Sequence, residues 1–385
     1  MREWKTFRLK ELCSDIIDCV NKTAPISSNE TPYKMLRTSD IREGRINLEN
    51  LNCVSLETFE KWTRRGKLQV GDVILTREAP LGEVGLVRKA ENYFLGQRLV
   101  LFRANSLKCD NRFLMYSLLY HDNKQAVIAK GVGSTVLHLR VPECENIEIK
   151  APALPIQKRI ADILSAYDDL IENNQKQIKL LEEAAQRLYK EWFVDLRFPG
   201  HETTSILDGV PHGWEKVPVG SVLDKVVRTK QVLTADMLDN GAIPVVDQSR
   251  DFVAGYTNDR ETVVDLGKPV IVFGDHTRVL KYIQFPFAKG ADGTQLLVSN
   301  TRRMPQSLLY CSLVNIDLSN HHYARHFKYL KAEEILVPSL SIAEMFNDMV
   351  QPLFTQVQAL RNQCTLSKEA RERLLPKLMN EELEE

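Results

Sequence analysis

The sequence predicts an α+β protein in which two similar mixed α/β domains alternate with two long helices. A helical apolar stripe runs through residues 155–192, its pattern returns 186 residues later, and the segment after the first stripe repeats the order of the segment before it. These three observations divide the chain into four parts. They are a first domain (1–150), a central long helix (151–196), a second domain (197–338) and a C-terminal long helix (339–385).

The central helix is predicted from apolar residues spaced three and four apart, with no glycine among them. At about 1.5 Å per residue its 38 residues would extend about 57 Å, which exceeds the depth of an ordinary domain and indicates a spacer. Asn174 is the one polar residue in the stripe. The positions expected to form the spacer and the subunit-docking surface are Ile160, Leu164, Tyr167, Ile171, Asn174, Ile178, Leu181 and Leu188.

The C-terminal helix carries the same stripe at Leu353, Val357, Leu360 and Leu374. Two such stripes in one chain can bury each other as an intramolecular coiled coil. Because the first helix leaves domain one and the second begins at domain two, we expect them to be antiparallel, with the domains at opposite ends of a rod and related by an approximate two-fold axis. Pro352 lacks a backbone donor, so it predicts a kink or a late start to this helix.

The two domains are predicted to be homologous because short matches recur in the same order. Trp4 matches Trp214 at an offset of 210, and Val73 matches Val270 at an offset of 197. Gly96 is aligned with Gly293 by the second offset. The drop of thirteen residues is what deletions in loops produce.

Composition is typical of a globular protein without a membrane segment. Of 385 residues, 43% are hydrophobic and 26% charged. The first ten residues are charged and lack an apolar core, and no apolar run approaches the length of a membrane span. We therefore expect a cytoplasmic protein, and we interpret its seven scattered cysteines as reduced thiols.

The net charge of zero is unevenly distributed along the chain. Lys and Arg minus Asp and Glu give 24 − 19 = +5 for residues 1–150, and 6 − 8 = −2 for residues 151–196. A basic first domain is compatible with nucleic-acid binding, although charge alone supports it weakly.

Several enzyme classes lack their motifs. The glycine cluster at 290–294 has neither the lysine nor the spacing of an ATP-binding loop, and no glycine-rich methyl-donor loop follows a strand. Asp72 and Glu83 could belong to a nuclease, but no lysine follows Glu83 at the required spacing. His321, His322 and His326 could bind a metal, yet the interleaved Tyr and Arg residues favour contact with phosphates or bases over a metal. Interdomain contact and ordinary surface packing are the other interpretations of this cluster.

Loops that follow strands supply the candidate DNA contacts. After the strand at 270–272, residues 273–278 form a donor-rich tip whose Arg278 could make a bidentate contact to guanine. In domain one, Arg77 follows the corresponding strand, and this recurrence favours a reading role. The candidate DNA-binding residues are Arg37, Arg77, Gln97, Arg98, Ser134, Arg250, His276, Thr277, Arg278, His322 and Arg325.

With the duplication and the helices established, the chain resembles the DNA specificity subunit of type I restriction-modification enzymes. The resemblance covers essentially the whole chain. Its residues are Gly133, Ser134, Thr135, Ile147, Pro152, Leu154, Pro155, Gln157, Ile160, Ala161, Leu164, Asp168, Ile171, Leu180, Leu181, Leu188 and Phe193. The C-terminal copy departs from this motif, since Ser341, Ala343 and Asn347 replace Pro155, Gln157 and Ala161.

The resemblance implies that each target-recognition domain reads one half of a bipartite, asymmetric site in double-stranded DNA. Two methyltransferase (M) subunits would dock on the helices, and restriction (R) subunits would join through them. This chain would catalyse nothing and bind no cofactor, while S-adenosylmethionine, ATP and Mg would be bound by the partner subunits. The alternatives are an orphan or phase-variable subunit serving a methyltransferase alone, and a self-contained DNA-modifying or DNA-cleaving enzyme.

Overall fold

Residue contacts group the chain into two units, and the boundary between them falls inside both long helices. Met1–Glu172 and Thr365–Glu385 form the first unit, and Asn173–Cys364 form the second. The computed structural model describes residues 4–133, 136–226, 229–290, 293–320 and 325–380. Each unit therefore holds one α/β part together with one end of each long helix. The division predicted from the sequence separates the long helices from the two domains.

The α/β part of the first unit is built from short strands and helices. In chain order they are β1 (Lys5–Arg8), α1 (Leu9–Leu12), β2 (Cys13–Asp18), β3 (Lys34–Leu36), β4 (Ile41–Arg42), β5 (Arg45–Ile46), β6 (Asn52–Cys53), α2 (Leu56–Trp62), β7 (Val73–Arg77), β8 (Leu81–Leu86), β9 (Tyr93–Leu95), β10 (Leu99–Ala104), α3 (Asn111–Leu119), α4 (His121–Ala129), α5 (Val141–Glu145) and β11 (Glu148–Ala151). The main sheet has the order β2-β10-β7-β8, a second sheet has the order β6-β3-β9, and β1 pairs with β11.

The first long helix, α6, spans Leu154–Tyr189 and continues as a π-helical turn at Lys190–Val194. The α/β part of the second unit follows. Its elements are β12 (Ile206–Leu207), β13 (Val210–Pro211), β14 (Glu215–Pro218), β15 (Ile243–Val246), β16 (Gly255–Thr257), β17 (Val263–Val264), β18 (Val270–Gly274), β19 (Leu280–Ile283), β20 (Phe287–Lys289), β21 (Thr294–Leu297), α7 (Gln306–Val314), α8 (Phe327–Ala332) and β22 (Glu334–Val337), and the second long helix, α9 (Leu340–Met379), follows them.

The two α/β parts share the pairing of their central strands, as expected from the repeated sequence, although their sheets differ in the number of edge strands. In the first, β7 pairs with β8 and β10, and β3 runs parallel to β9. In the second, β18 pairs with β19 and β21, and β15 runs parallel to β20. The antiparallel pair β1–β11 of the first corresponds to β14–β22 of the second.

The predicted alignment of the middle strands is wrong by one residue. Arg77 donates its N–H to the carbonyl of Arg98 and accepts from Leu139. Asp275 makes the same two bonds, with Gly293 and His326. Arg77 and Asp275 are therefore equivalent, at an offset of 275 − 77 = 198 rather than 197.

A further pair of bonds corrects the alignment of the glycines. Gly96 donates to the carbonyl of Leu36, and Gly290 donates to the carbonyl of Val246. The equivalent of Gly96 is consequently Gly290. Because side chains alternate across a strand, a one-residue error exchanges its two faces.

The long helices run antiparallel within each unit. In the first unit, Ile160 and Leu164 near the start of α6 share a core with Leu378 near the end of α9. In the second, Trp192, just after the end of α6, shares a core with Phe346 near the start of α9. The predicted pairing of the helices is confirmed in both places.

The predicted stripe lies on the packed side of both helices. Ile160, Leu164, Ile171, Asn174, Val357 and Leu360 are buried, and Tyr167, Ile178, Leu181, Leu188, Leu353 and Leu374 are half-buried. The expected late start at Pro352 is wrong, because α9 begins at Leu340 and continues through the proline. Pro352 and Asp348, whose carbonyl loses its helical donor, are both exposed, so water can satisfy that carbonyl. No described helix meets the requirements for crossing a membrane.

Candidate nucleic-acid interface

Loops of the first unit meet at the ends of its two larger sheets. They are the β3–β4 loop (37–40), the β7–β8 tip (78–80) and the β9–β10 turn (96–98). Thr38 Oγ1 donates to the carbonyl of Ala79 at 3.1 Å, which joins the loop to the tip. Arg98 Nε lies 2.7 Å from Glu78 Oε2, which joins the turn to the tip.

A fourth loop of the first unit, residues 130–140, reaches the same tip. Val132 forms an isolated bridge with His138, and His138 also bridges to Glu78. Ser134, a predicted DNA contact on this loop, lies outside the described residues. The loop that carries the Gly-Ser-Thr motif thus begins and ends beside the β7–β8 tip.

Arg77 is a correction to the predicted set. Its side chain is buried, with 5% exposed. The guanidinium donates to Asp18 Oδ1 at 2.7 Å and to the carbonyl of Leu139 at 3.2 Å. Arg77 therefore anchors the 130–140 loop to the sheet and presents no donor to DNA, so we remove it from the candidate interface.

Arg37 is likewise engaged within its own loop. Its Nε and Nη2 donate to the two carboxylate oxygens of Asp40 at 2.9 and 2.8 Å, and this hydrogen bonding raises the pKa of Arg37. A bidentate pair of this kind holds the guanidinium in one orientation. Gln97 remains exposed, accepting only a bond from Thr23 Oγ1 at 3.2 Å among the contacts of the described residues.

The second unit brings the equivalent loops together around Gln248. They are the β15–β16 loop (247–254), the β18–β19 tip (275–279) and the β20–β21 turn (290–293). Gln248 Oε1 accepts the N–H of His276 at 3.2 Å, and its carbonyl accepts Thr277 Oγ1 at 2.6 Å. A Cβ added at Gly293 would lie 2.6 Å from Gln248 Nε2, so the turn approaches the same side chain.

The side chains that this interface presents to solvent are mostly donors. Arg250, His276, Thr277, Arg278 and Arg325 are exposed. Arg278 adopts a left-handed backbone with φ 62°, and its Nη1 donates to the carbonyl of Leu318 at 3.1 Å. The expected recurrence of an arginine at the tip is not observed, because the first unit has Glu78, Ala79 and Pro80 there.

A polar cleft of about 550 Å³ lies beside the tip of the second unit. His276, Lys289 and Arg325 contribute cationic or donor groups to its wall, and Thr229, Gln231 and Gln295 contribute neutral ones. Asp224 and the buried Asp275 are its acidic residues. The mixture of donors and acceptors suits the edges of bases and the phosphate backbone.

Of the predicted histidine cluster, only His326 lies among the described residues. His321 and His322 lie outside the described residues. His326 is buried, and both its N–H and its ring Nδ1 bond to the carbonyl of Asp275. Within the described part of the chain, no group of three or more His, Cys, Asp or Glu is arranged to hold a metal ion. His326 serves to anchor the start of α8 to the tip.

Asp72 and Glu83, the carboxylates considered for a nuclease, are each held by a basic residue. Arg103 donates to both oxygens of Asp72 at 2.9 Å, and Lys124 donates to Glu83 at 2.7 Å. Asp72 caps a turn and Glu83 fixes α4 against β8. These contacts give both carboxylates structural roles.

Comparison with known proteins identifies the fold and shows which proteins the chain is similar to. Residues 1–183 match the family model described as the type I restriction modification DNA specificity domain. The MjaIX specificity subunit of Methanocaldococcus jannaschii is 26% identical over 342 residues, which are 81% of this chain and 78% of that protein. The first 183 residues are therefore similar to that DNA specificity domain, and most of the chain is similar to that specificity subunit.

Two other known proteins show the same similarity, one in sequence and one in structure. The EcoR124I/EcoR124II specificity subunit of Escherichia coli is 32% identical over 96 residues, 24% of this chain and 23% of that one. The crystal structure of a type I restriction-modification S subunit from M. genitalium superposes with a TM-score of 0.59 at 17% identity, covering 98% of this chain and 96% of that one. This chain therefore has the fold of that S subunit.

The long helices of this chain also present apolar side chains to solvent. Leu180 on α6 is 63% exposed and Leu366 on α9 is 66% exposed, and 366 − 180 = 186 is the offset between the helices. Ile163 and Met349, exposed by 36% and 53%, are separated by the same offset. Exposed apolar residues therefore recur at matching positions of the duplicated helices.

Proposed function

We propose that this chain is the non-catalytic DNA-reading subunit of a type I restriction-modification complex, with each unit reading one half of a bipartite sequence. One observation carries the proposal: both units bring equivalent loops together on the same framework but furnish them with different side chains. Thr38 and Ala79 join loop and tip in the first unit, whereas Gln248 and Thr277 do so in the second. Two readers with one scaffold and different side chains are what an asymmetric site requires.

The charge of the loops supports contact with DNA. Arg250, Arg278 and Arg325 are exposed in the second unit, and Arg98 is half-exposed in the first. Arginine is suited to guanine edges and to phosphates because its donors form a planar fork. Ser134, on the 130–140 loop, and His322, three residues before Arg325, remain proposed contacts.

The helix pair would set the gap between the half-sites and carry the partner subunits. At about 1.5 Å per residue, the 36 residues of α6 extend about 54 Å, more than the roughly 34 to 36 Å between half-sites one helical turn apart. The matching exposed residues Leu180 and Leu366 support two copies of one methyltransferase subunit. S-adenosylmethionine, ATP and Mg would be held by the partner subunits, with restriction subunits joining through the methyltransferases.

The experiment is co-expression with the methyltransferase subunits of the source organism, followed by sequencing of the methylated genome. A motif with two specified parts and a constant gap is expected. The purified chain alone, given S-adenosylmethionine, ATP and Mg, should neither methylate nor cut DNA, and turnover by the lone chain would reject the proposal. Its DNA affinity should fall steeply between about 50 and 200 mM salt, because binding releases counterions from phosphates.

A further inference from the structure

Lys281 on β19 is hydrogen-bonded to the backbone of the β15–β16 loop of the second unit. Its side chain is buried, with 3% exposed. The ammonium donates to the carbonyl of Asp247 at 2.8 Å and to the carbonyl of Asp251. One buried group therefore holds both ends of the five-residue segment 247–251 of this loop.

The loop held in this way supports the β18–β19 tip. Between its two ends lies Gln248, whose side chain accepts from His276 and whose carbonyl accepts from Thr277. Arg250, on the same loop, is exposed. The positions of Arg250 and of the tip therefore depend on where the loop is fixed.

The far end of the loop is fixed by the long helix. The guanidinium of Arg361 on α9 lies 3.8 Å from the ring centroid of Phe252, a cation–π contact. Arg361 is itself oriented by Glu182 on α6, at 2.6 Å. Lys281 thus fixes the segment 247–251, and Arg361 of α9 fixes Phe252, the next residue of the loop.

Burial lowers the pKa of Lys281, and the nearby carboxylates of Asp247 and Asp251 oppose this shift. An ammonium in such a place is costly unless its donors are satisfied. Here the loop carbonyls of Asp247 and Asp251 accept from two of the three ammonium donors, and these two hydrogen bonds stabilise the buried charge. Methionine, of similar length, would remove the donors and the charge together.

The first unit shows that the fold itself does not need a lysine at this position. Lys281 lies opposite Val272 on β18, and Gly85 lies opposite Ile74, the residue equivalent to Val272 by the offset of 198. The corresponding 37–40 loop is closed by the bidentate pair of Arg37 and Asp40 instead. Each unit has its own device for fixing this loop, which indicates that the loop's position matters more than the residues that fix it.

We infer that Lys281 is a positioning residue for sequence recognition by the second unit, acting by fixing the β15–β16 loop and, through Gln248, the β18–β19 tip against DNA. This inference rests on the proposed function. Lys281 touches no DNA itself. Replacing Lys281 is expected to reduce discrimination between bases at the half-site read by the second unit and to leave discrimination at the other half-site unchanged.

The test uses the full chain with its methyltransferase subunits and compares Lys281→Met with Lys268→Met, an exposed lysine in the turn before β18. In Lys281→Met, amide hydrogen exchange at residues 247–251 and 276–278 should accelerate about ten-fold or more, and discrimination at the second half-site should fall by a similar factor. Lys268→Met should change neither. Unchanged exchange and an unchanged motif in Lys281→Met would overturn the inference.

Gln248→Ala separates positioning from a loss of folding, because it removes the side-chain acceptor of the His276 N–H without altering the core, while the backbone carbonyl still accepts from Thr277. It should blur the same half-site while leaving the exchange of buried β18 amides unchanged. If Lys281→Met unfolds and Gln248→Ala leaves the motif intact, the inference fails. If the wild-type complex shows no bipartite motif, the proposed function fails, whereas the exchange comparison still reports whether Lys281 fixes the loop.

Discussion

Arg371 on α9 pairs with Asp168 on α6 in the interior of the first unit. Both side chains are buried, and Tyr116 on α3 donates its hydroxyl to the second oxygen of the same carboxylate at 2.5 Å. At the offset of 186, the residues equivalent to Asp168 and Arg371 are Phe354 and Ala185, both buried in an apolar core. At this one pair of equivalent positions, the duplicated helices are therefore joined by a charged contact in the first unit and by apolar packing in the second.

Replacing Arg371 with methionine should destabilise the first unit. The substitution leaves a buried carboxylate without its main counter-ion, which typically costs about 3–5 kcal/mol. Arg45, 3.8 Å from Asp168, offsets part of this loss. Urea unfolding followed by hydrogen exchange should show accelerated exchange in the first unit, while the second unit is unaffected.

The partner substitution provides the control for this experiment. Asp168→Asn combined with Arg371→Met removes both charges yet keeps an acceptor for Tyr116, so the double variant should regain stability relative to Arg371→Met. Arg373→Met, at a residue whose side chain is 81% exposed, should have little effect. Equal stability of the single and double variants would show that the ion pair is not the source of the loss.

The helices could be predicted from the sequence because their apolar period is long and repeated. Both begin at the expected offset, at Leu154 and Leu340. The strands gave a weaker signal, since β7 and β18 are buried on both faces and lack alternation, and a one-residue slip leaves such a match nearly unchanged. Hydrogen bonds to distant loops were needed to establish that Arg77 is equivalent to Asp275.

The interface was harder to predict than the fold. No local pattern separates a buried arginine from an exposed one, and the burial of Arg77 depends on Asp18, 59 residues earlier. Gln248 and Lys281 were not predicted, because their importance lies in contacts across loops. The second long helix has Ala343 at the position of Gln157 in the first. The side chain of Gln157 accepts a hydrogen bond from the N–H of Asp110. In the second unit, the side chain of Gln306 accepts one from the N–H of Ser299.

Arg278 and His276 should determine part of one half-site. Arg278→Asn suits the left-handed backbone at this position and removes the guanidinium. A bidentate contact to a base contributes about 1–3 kcal/mol of discrimination, so one position of one half-site should become degenerate while the other half-site is unchanged. Sequencing the methylated genome of cells that carry the variant measures this.

Arg260→Ala is the control for the recognition experiment, because Arg260 is exposed in the same unit but lies outside the interface loops. His276→Ala should relax the same half-site as Arg278→Asn. A motif that is unchanged in both interface variants would exclude the β18–β19 tip as a reading element.

Cys53 should be the most readily alkylated of the cysteines whose pKa is shifted. The ammonium of Lys34, 3.0 Å from its sulfur, lowers the pKa of Cys53. Burial raises the pKa of Cys13 and of Cys144 to about 12, and burial also raises the pKa of Cys109. Since the thiolate is the reactive form, iodoacetamide should modify Cys53 first at neutral pH.

The pH profile of that reaction provides the decisive comparison. Lys34→Met should move the midpoint of Cys53 alkylation upward, towards the ordinary thiol value, whereas Lys22→Met at an exposed position should not. Peptide mass spectrometry resolves the individual cysteines. An identical profile with and without Lys34 would contradict the assigned cause.

A matched insertion in both long helices should change the gap of the recognised sequence. Asn174 donates to Gln363 at 2.9 Å, which identifies facing points on α6 and α9. Seven residues inserted next to each would add about 10 Å, close to three base-pair steps of about 3.4 Å. The methylated motif should keep both half-sites and gain two or three base pairs between them.

Affinity for the widened site should fall, because three added base pairs also rotate one half-site by about 100° around the DNA axis. An insertion in α6 alone should abolish specific binding, since the two stripes would no longer match. If the matched insertion changed the sequence of either half-site, the helices would have a role in reading rather than in spacing.

Leu180 and Leu366 should each support one copy of the methyltransferase subunit. Burying a leucine contributes about 1.5–3 kcal/mol, so Leu180→Glu or Leu366→Glu should weaken one docking event by at least ten-fold. Native mass spectrometry of the co-expressed complex should then show one methyltransferase copy for each single variant and none for the double variant. Leu107→Glu, at a residue 86% exposed outside the long helices, should retain two copies. Full occupancy in the double variant would place docking elsewhere, and loss of both copies in each single variant would mean that the two events depend on one another.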